Sequence, residues 1–302
     1  GSKISDNTPE FVWTAVADTS GVRYLFELSD TGDFLTPVVT VDTDATVVGI
    51  TAPLQDDDYL WRVQAIDGAG RAGDFSAPFS HTVDTTPPDA PALVAPDGGV
   101  ILGLAEVGPT RTVNFVWDLS ASGDIAHYHF QVTTGGWFNT VFDEFLTHPV
   151  TGATRNLPLD GVYQWRVGAL DDALEIDDQI GPNETDPNSL EVRTFAVDTQ
   201  PTGAPTDLAT DPVGTSISDN RPLFSWSAAT GDVVKYRLVV TSGDIGTLPY
   251  DVHELVDVST MEFRLADPLD DGVYRWRVIA QDEALNTNSS EEGPSFRVDT
   301  QV

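Results

Sequence analysis

The sequence predicts an all-β protein built as three tandem β-sandwiches in an extended rod. The first observation is a threefold repeat, in which a Tyr-x-Trp-Arg-Val segment begins at Tyr59, Tyr163 and Tyr274. The second is that apolar and polar residues alternate over short runs, which are separated by Gly, Pro, Asp and Thr. The third is the repeat length of about 100 residues, which is the size of one sandwich domain. A fixed period of this size indicates repeated units rather than one large core.

Two further markers flank the Tyr-x-Trp-Arg-Val segment in each repeat. An aromatic pair precedes it and a Val-Asp-Thr segment follows it, at 11–13 and 83–85, 115–117 and 197–199, and 224–226 and 298–300. Within 274–280, Tyr, Trp, Val and Ala occupy every second position, and two arginines lie between them. Because side chains alternate between the faces of a strand, we expect the aromatic face in the core and the arginine face towards solvent.

Proline-rich segments at 85–91 and 199–205 separate the repeats. They predict a first module at 1–86, a second at 87–200 and a third at 201–302. Proline at this density favours an extended, semi-rigid backbone, so the modules are expected to be strung out rather than folded back on each other.

The first module is predicted to be trimmed at its N-terminus. Residues 4–9 match 217–222, but the third repeat has an additional stretch at 206–216 that is typical of a first strand. Either this strand was cut from the first module or the module uses a shorter one. In both cases an exposed sheet edge is expected, and such an edge is prone to pairing.

The segment 224–236 resembles strands B and C of a fibronectin type III module, and 271–276 is similar to the tyrosine corner before strand F. These residues resemble the fibronectin type III and bacterial immunoglobulin-like superfamily. The resemblance implies that aromatic packing replaces the disulfide of an immunoglobulin domain, and the chain has no Cys. The Arg-Val-x-Ala-x-Asp that ends at Asp67, Asp171 and Asp282 resembles modules of prokaryotic adhesins, surface-layer proteins and extracellular hydrolases. It implies a fold but no single function, because this sandwich serves many roles.

The chain is strongly acidic. It carries 48 acidic against 15 basic residues, a net charge of −33. Such a chain repels phosphate backbones and anionic membrane surfaces, so neither nucleic-acid binding nor direct membrane insertion is expected. Two interpretations of the charge stay open and are compatible: a solvated surface suited to salty water, or carboxylates clustered to hold calcium.

The calcium hypothesis depends on where loops fall in a seven-stranded sandwich. The A–B and E–F loops and the end of strand G face the next module, whereas the B–C and F–G loops face the previous one. Carboxylates therefore gather at both junctions. The first junction would hold Asp6, Asp56, Asp57, Asp58, Asp84, Asp124, Asp171 and Asp172, and the second Asp160, Asp198, Asp232, Asp282 and Glu283. Calcium takes about six to eight oxygen ligands, and the mode resembles the calcium-stiffened junctions of cadherin-like adhesins. The alternative is that these are turn-forming Asp residues.

Other candidate sites are weaker. His127 and His129 share a strand face and could ligate a metal, but we expect both to point to solvent without a third ligand. Trp137 could stack on a sugar, although packing against strand C is favoured because Phe34 falls at the same place in the first repeat. The insertion at 171–189 is predicted to be the F–G loop, either solvated or used for recognition.

No catalytic motif is present: there is no nucleophile elbow, phosphate-binding loop, dinucleotide fingerprint or zinc-protease helix. We expect a non-catalytic structural and adhesive spacer in a secreted or cell-surface protein. Gly1-Ser2 and Val302 look like cut ends, so the chain is expected to be part of a longer polypeptide, with an unidentified surface protein or glycan as partner. The alternative function is a set of carbohydrate-binding accessory modules of an extracellular hydrolase.

Overall fold

A computed structural model describes residues 2–137, 139–173, 183–242, 251–257 and 260–301. Strands dominate the described residues, and the helix α1 (Leu104–Val107) is a single short turn. The all-β prediction is confirmed. Among the described residues, no helix is long and apolar enough to span a membrane.

The first module contains two sheets. Its strands are β1 (Ser2–Ile4), β2 (Glu10–Val12), β3 (Val22–Ser29), β4 (Val39–Thr43), β5 (Val47–Gly49), β6 (Asp57–Asp67), β7 (Ala72–Phe75) and β8 (Phe79–Val83). The larger sheet has the order β1-β8-β6-β3-β4, with β7 also pairing with β6, and the smaller one pairs β2 with β5.

The second module repeats this arrangement. Its strands are β9 (Leu93–Ala95), β10 (Ile101–Gly103), β11 (Thr112–Trp117), β12 (Ile125–Thr133), β13 (Thr140–Thr147), β14 (Gly152–Asn156), β15 (Gly161–Asp171) and β16 (Arg193–Asp198). The sheet orders are β10-β16-β15-β12-β13 and β14-β11-β9.

The third module has the same two sheets. Its strands are β17 (Thr206–Asp211), β18 (Ser216–Ile217), β19 (Leu223–Ser227), β20 (Lys235–Thr241), β21 (Asp251–Asp257), β22 (Glu262–Arg264), β23 (Gly272–Gln281), β24 (Thr287–Ser289) and β25 (Phe296–Val298). The orders are β18-β25-β23-β20-β21, with β24 also pairing with β23, and β17-β19-β22. In each module a short strand pairs in parallel with the last strand of the larger sheet, as β1 does with β8, β10 with β16, and β18 with β25.

The predicted aromatic face forms the interior. Trp117, Trp165 and Trp276 are fully buried, and the described residues fall into three separate apolar clusters, each between the two sheets of one module. The arginine face is less open than predicted. The Arg62 guanidinium lies 4.1 Å from the centroid of the Phe34 ring, so this arginine covers an aromatic residue at the sheet surface.

The resemblance to a tyrosine corner holds in all three repeats. Each Tyr hydroxyl before the strand Trp donates a hydrogen bond to the carbonyl oxygen four residues earlier. The pairs are Tyr59–Gln55 (3.0 Å), Tyr163–Leu159 (2.6 Å) and Tyr274–Asp270 (2.9 Å). This bond closes the turn before the strand and satisfies a hydroxyl on a largely buried side chain.

The smaller sheet of the first module has an open edge. Its strand β2 pairs with β5 alone in the part of the chain that the structure describes, whereas β11 and β19 each lie between two strands. A cleft of about 480 Å³ opens beside β2, lined by Trp13, Trp61 and Phe79 among others. Among the described residues, the first module therefore has no counterpart of β9 and β17, and the expected exposed edge is present.

Candidate cation sites at the two junctions

The first junction, where the first and second modules meet, brings three carboxylates together. Asp84 follows β8, Asp124 precedes β12, and Asp171 ends β15. One oxygen from each lies within 4.8 Å of the other two. Strand ends from two modules thus converge, and the repulsion between their charges requires a counter-charge.

The counter-charge at the first junction is Lys3. Its ammonium lies 2.8 Å from Asp84, 2.8 Å from Asp124 and 2.5 Å from Asp172. Burial favours the neutral amine, but the hydrogen bonds with the three carboxylates outweigh it and raise the pKa of Lys3 well above its usual value. The same ammonium lowers the pKa of Asp124.

Both oxygens of Asp171 accept hydrogen bonds. Its Oδ1 accepts from the backbone N–H groups of Ala173 (3.0 Å) and Asn183 (3.2 Å), and its Oδ2 accepts from Asn183 Nδ2 (2.7 Å). Asn183 Nδ2 also donates to the carbonyl oxygen of Asp84 at 2.7 Å, which ties the second module to the first. Burial raises the pKa of Asp171.

The second junction, where the second and third modules meet, repeats the geometry with equivalent residues. Single oxygens of Asp198, Asp232 and Asp282 lie within 4.8 Å of one another. Asn286 takes the place of Asn183: its backbone N–H donates to Asp282 Oδ1 at 2.8 Å, and its Nδ2 donates to the Asp198 carbonyl oxygen at 2.8 Å. The two junctions therefore share one framework of three carboxylates and one amide.

The electrostatics of the second junction differ from those of the first. Asp282 is completely buried, and its Oδ2 has no hydrogen-bond partner among the described residues. Burial raises the pKa of Asp198, and repulsion from Asp282 and Asp232 adds to this effect. No ion pair between described residues involves any of the three carboxylates. Such a group of oxygens is the donor set that Ca²⁺ prefers.

A tight backbone contact accompanies the second cluster. Leu104 N donates to Asn286 Oδ1 at 2.7 Å. A Cβ atom built on Gly103 would lie 2.0 Å from the Ala284 carbonyl oxygen, so only glycine allows this approach. The third module is therefore docked on β10 and α1 of the second.

Seven of the predicted ligands, Asp172 and Glu283 among them, lie outside both clusters of the described residues, and the other five hold turns or strand ends. Their main partners are Thr8 for Asp6, Thr85 and Thr86 for Asp56, the Asp58 backbone for Asp57, Thr82 for Asp58, and Arg111 and Thr199 for Asp160. For these residues the turn-forming interpretation fits the geometry. Asp172 is bound by Lys3, as described above.

Sequence reasoning missed Lys3, Asn183 and Asn286. The two asparagines play the same part, but Asn183 follows the strand-end Asp by 12 residues and Asn286 by four. This unequal spacing hides their equivalence in an alignment of the repeats. Lys3 belongs to a different module from Asp124 and Asp172, so only the docked modules show the contact.

The expectation that both histidines point to solvent is wrong for His129. Its ring nitrogens lie 2.6 Å from Glu184 and 2.6 Å from Asp143, and its ring stacks on Phe145 at 4.3 Å. Burial favours the neutral ring, but the hydrogen bonds with the two carboxylates outweigh it and raise the pKa of His129. His127 is exposed, as expected.

Trp137 is neither a core residue nor an open platform. Its ring is half-buried, and the Arg166 guanidinium lies 4.0 Å from the ring centroid. Arg166 is the repeat equivalent of Arg62, which covers Phe34 in the same way. One face of Trp137 is thus occupied by the protein itself, and this occupancy weakens the sugar-stacking interpretation.

Comparison with known proteins gives one family match. Residues 194–300 match the family model of a bacterial Ig-like domain, which is about a third of the chain. No curated protein matches the sequence.

Three solved structures of tandem modules are similar to the chain at low identity. They are the FN1–FN3 domains of chicken CNTN1 (17% identity, 98% of this chain and 95% of that one, TM-score 0.43), the fibronectin(III)-like modules of Clostridium thermocellum CbhA (12%, 69% and 93%, 0.43), and domains A168–A170 of titin (10%, 98% and 99%, 0.44). The chain is an all-β protein of repeated two-sheet modules, in which residues 194–300 match the bacterial Ig-like domain.

Proposed function

We propose that this chain is a non-catalytic structural spacer of a secreted or cell-surface protein. In this proposal its modules at 1–86, 87–200 and 201–302 form an extended rod that holds a neighbouring part of the protein at a distance. The observation that carries the proposal is that both junctions use the same contact. An asparagine of one module donates to the last strand-end carbonyl of the module before it, as Asn183 does to Asp84 and Asn286 to Asp198.

The contact supports a spacer because it fixes the ends of neighbouring modules against each other. Thr185 Oγ1 also donates a hydrogen bond to the Pro88 carbonyl oxygen at 2.9 Å, so the first linker is hydrogen-bonded to the second module. Proline in both linkers reduces the number of backbone conformations further. A flexible tether would need neither feature.

Calcium is part of the proposal, as a stiffener of the junctions. The acidic clusters supply carboxylate oxygens from two modules to one point, so a bound divalent ion would link the modules and remove their repulsion. Extracellular modules bind calcium with a Kd of about 10⁻⁴–10⁻³ M, which suits the proposed location outside the cell.

The adhesive part of the proposal rests on the F–G insertion of the second module, the loop that could reach a partner. Residues 174–182 of this insertion lie outside the described residues. The carbohydrate-binding alternative has less support, because Arg166 covers the ring of Trp137 on which it was centred.

Small-angle X-ray scattering of the full chain tests the spacer. A compact globule of this length has a radius of gyration of about 19 Å. We expect a clearly larger value and an elongated distance distribution. Asn183→Ala, which removes the junction bonds, should broaden the distribution, whereas Asn188→Ala, in an exposed turn of the same insertion, should not. A radius near the globular value would contradict the proposal.

A further inference from the structure

The two junction clusters have equivalent carboxylates but different counter-charges. Lys3 reaches the first cluster from β1, where it pairs with Thr82 of β8. The equivalent position in the second module is Ile101 of β10, which pairs with Ala196 of β16. Isoleucine carries no charge, so the second cluster lacks the ammonium that neutralises the first.

The buried carboxylate of each cluster shows the same difference. Asp171 has hydrogen bonds on both oxygens, whereas Asp282 Oδ2 is buried without a partner among the described residues. An ionised carboxylate is strongly destabilising when it is buried and unpaired. One oxygen of Asp282 lies within 4.8 Å of oxygens of Asp198 and Asp232, so a cation bound at this cluster would give the buried carboxylate a counter-charge.

We propose that the second junction binds one Ca²⁺ ion through Asp198, Asp232 and Asp282, and that the Lys3 ammonium takes the place of this ion at the first junction. The inference rests on the proposed function, since it specifies which junction calcium stiffens. Three carboxylates suit a hard cation that prefers oxygen ligands, and water and carbonyl oxygens complete its coordination.

A difference in calcium response between the two junctions follows. The contact between the second and third modules depends on calcium. The contact between the first and second modules is held by Lys3, so chelation leaves it in place. The wild-type chain takes one specifically bound ion rather than two.

Calorimetric titration of the chelator-stripped full chain with CaCl₂ tests the site. About 0.15 M NaCl in the buffer screens weak binding to the other carboxylates. Asp232→Asn changes an exposed ligand, so folding is preserved. The affinity for Ca²⁺ should fall at least 10-fold, because even residues that only orient a metal ligand contribute on the order of 10-fold. The matched control is Asp124→Asn, its equivalent at the first junction, which should leave the affinity unchanged.

An exchange of the two counter-charges tests the role of Lys3. Ile101→Lys places an ammonium at the second junction and should abolish calcium binding. Lys3→Met removes the ammonium from the first junction and should raise the stoichiometry from one ion to two. Circular dichroism verifies that both variants fold, and if Lys3→Met does not fold, Ile101→Lys decides alone.

Several results would overturn the inference: two equivalent ions on the wild type, equal effects of Asp232→Asn and Asp124→Asn, or full calcium binding by Ile101→Lys. Tighter binding of Mg²⁺ than of Ca²⁺ would overturn the choice of metal. The spacer proposal is tested independently of the calcium site. If the chain is elongated but binds no calcium, only the calcium inference is overturned. If the chain is compact but binds one ion, only the spacer proposal is overturned.

Discussion

At the scale of single residues, the three modules reuse the same polar contacts inside their aromatic cores. A second tyrosine in each module, on the strand after the aromatic pair, accepts a hydrogen bond from the backbone of the preceding loop. The pairs are Tyr24–Val16 (2.8 Å), Tyr128–Ser120 (3.0 Å) and Tyr236–Ala229 (2.9 Å). Each hydroxyl thus fixes one loop to the core, and a buried polar group is satisfied in the process.

Replacement of a tyrosine-corner hydroxyl should destabilise its module. Tyr163→Phe removes the bond to the Leu159 carbonyl and should lower the free energy of unfolding by about 0.5–1.5 kcal/mol, as expected for one neutral hydrogen bond. Urea denaturation monitored by tryptophan fluorescence measures this change. The exposed neighbour Val162 provides the control, since Val162→Ala should change stability by less than about 0.5 kcal/mol. An unchanged midpoint for Tyr163→Phe would contradict the prediction.

His129 predicts a pH dependence of stability. Its pKa in the folded state is raised because Glu184 and Asp143 stabilise the charged ring, and the nearby Arg166 does not reverse this effect. A group with a raised folded pKa contributes its full stability below the unfolded pKa, about 6.5 for His. This contribution is lost as the pH rises through the folded pKa.

Thermal melts of the wild type and His129→Gln between pH 5.5 and pH 9 measure the effect. The difference in Tm should be largest at the acidic end of this range and should shrink towards the alkaline end. His127→Gln is the matched control, because His127 is exposed on the same strand, and its Tm should stay close to that of the wild type. A difference that grows with pH would show that the neutral ring is the stabilised form.

At the scale of strands and loops, the contacts between elements decide where modules are open and where they are closed. In the first module β2 has one partner strand among the described residues, and a cleft opens beside it. At the second junction the backbone of β10 and α1 lies directly against the loop after β23. The open edge at β2 and the docking face at β10 are built from the same kind of strand. The elements that pack beside each strand determine whether it is open or covered.

Gly103→Ala should weaken the docking of the third module. The added Cβ would lie 2.0 Å from the Ala284 carbonyl, so one backbone has to move. Hydrogen exchange around Asn286 should become faster, and the calcium affinity of the second junction should fall. Gly98→Ala is the control, since nothing lies within 4 Å of its Cβ. Unchanged exchange in Gly103→Ala would show that the loop adapts without loss of docking.

At the scale of the whole molecule, the net charge of −33 sets the response to ions. Most of the carboxylates contribute to a general repulsion that salt screens. The two junction clusters place part of this repulsion between neighbouring modules, where it acts on the contact that joins them.

Monovalent salt should raise the Tm, and calcium should raise it further at the same ionic strength. Screening accounts for the first effect, whereas mass action on a specific site accounts for the second and amounts to about 2.7 kcal/mol at 100 times the Kd. Calorimetric melts in NaCl and in CaCl₂ of matched ionic strength separate the two. Equal curves in both salts would mean that screening alone acts.

The sequence alone determined the fold and the positions of the strand ends. Alternation of apolar and polar residues is a local property, and three copies of it placed Tyr163, Trp165 and their equivalents in the core. The same topology brought Asp84, Asp124 and Asp171 together, because strand direction decides which end a loop occupies. The same reasoning also grouped Asp56 and Asp160 with these residues, and in the structure both accept hydrogen bonds from threonines.

Only the tertiary structure decided the charge balance of each junction. Lys3 and Asp172 are 169 positions apart, and Asn286 and Asp198 are 88 apart, so the docking of modules creates these contacts. Whether a buried carboxylate such as Asp282 keeps a free oxygen depends on every donor within about 3 Å. No repeat pattern encodes that distance, because it arises from the surfaces of two modules at once.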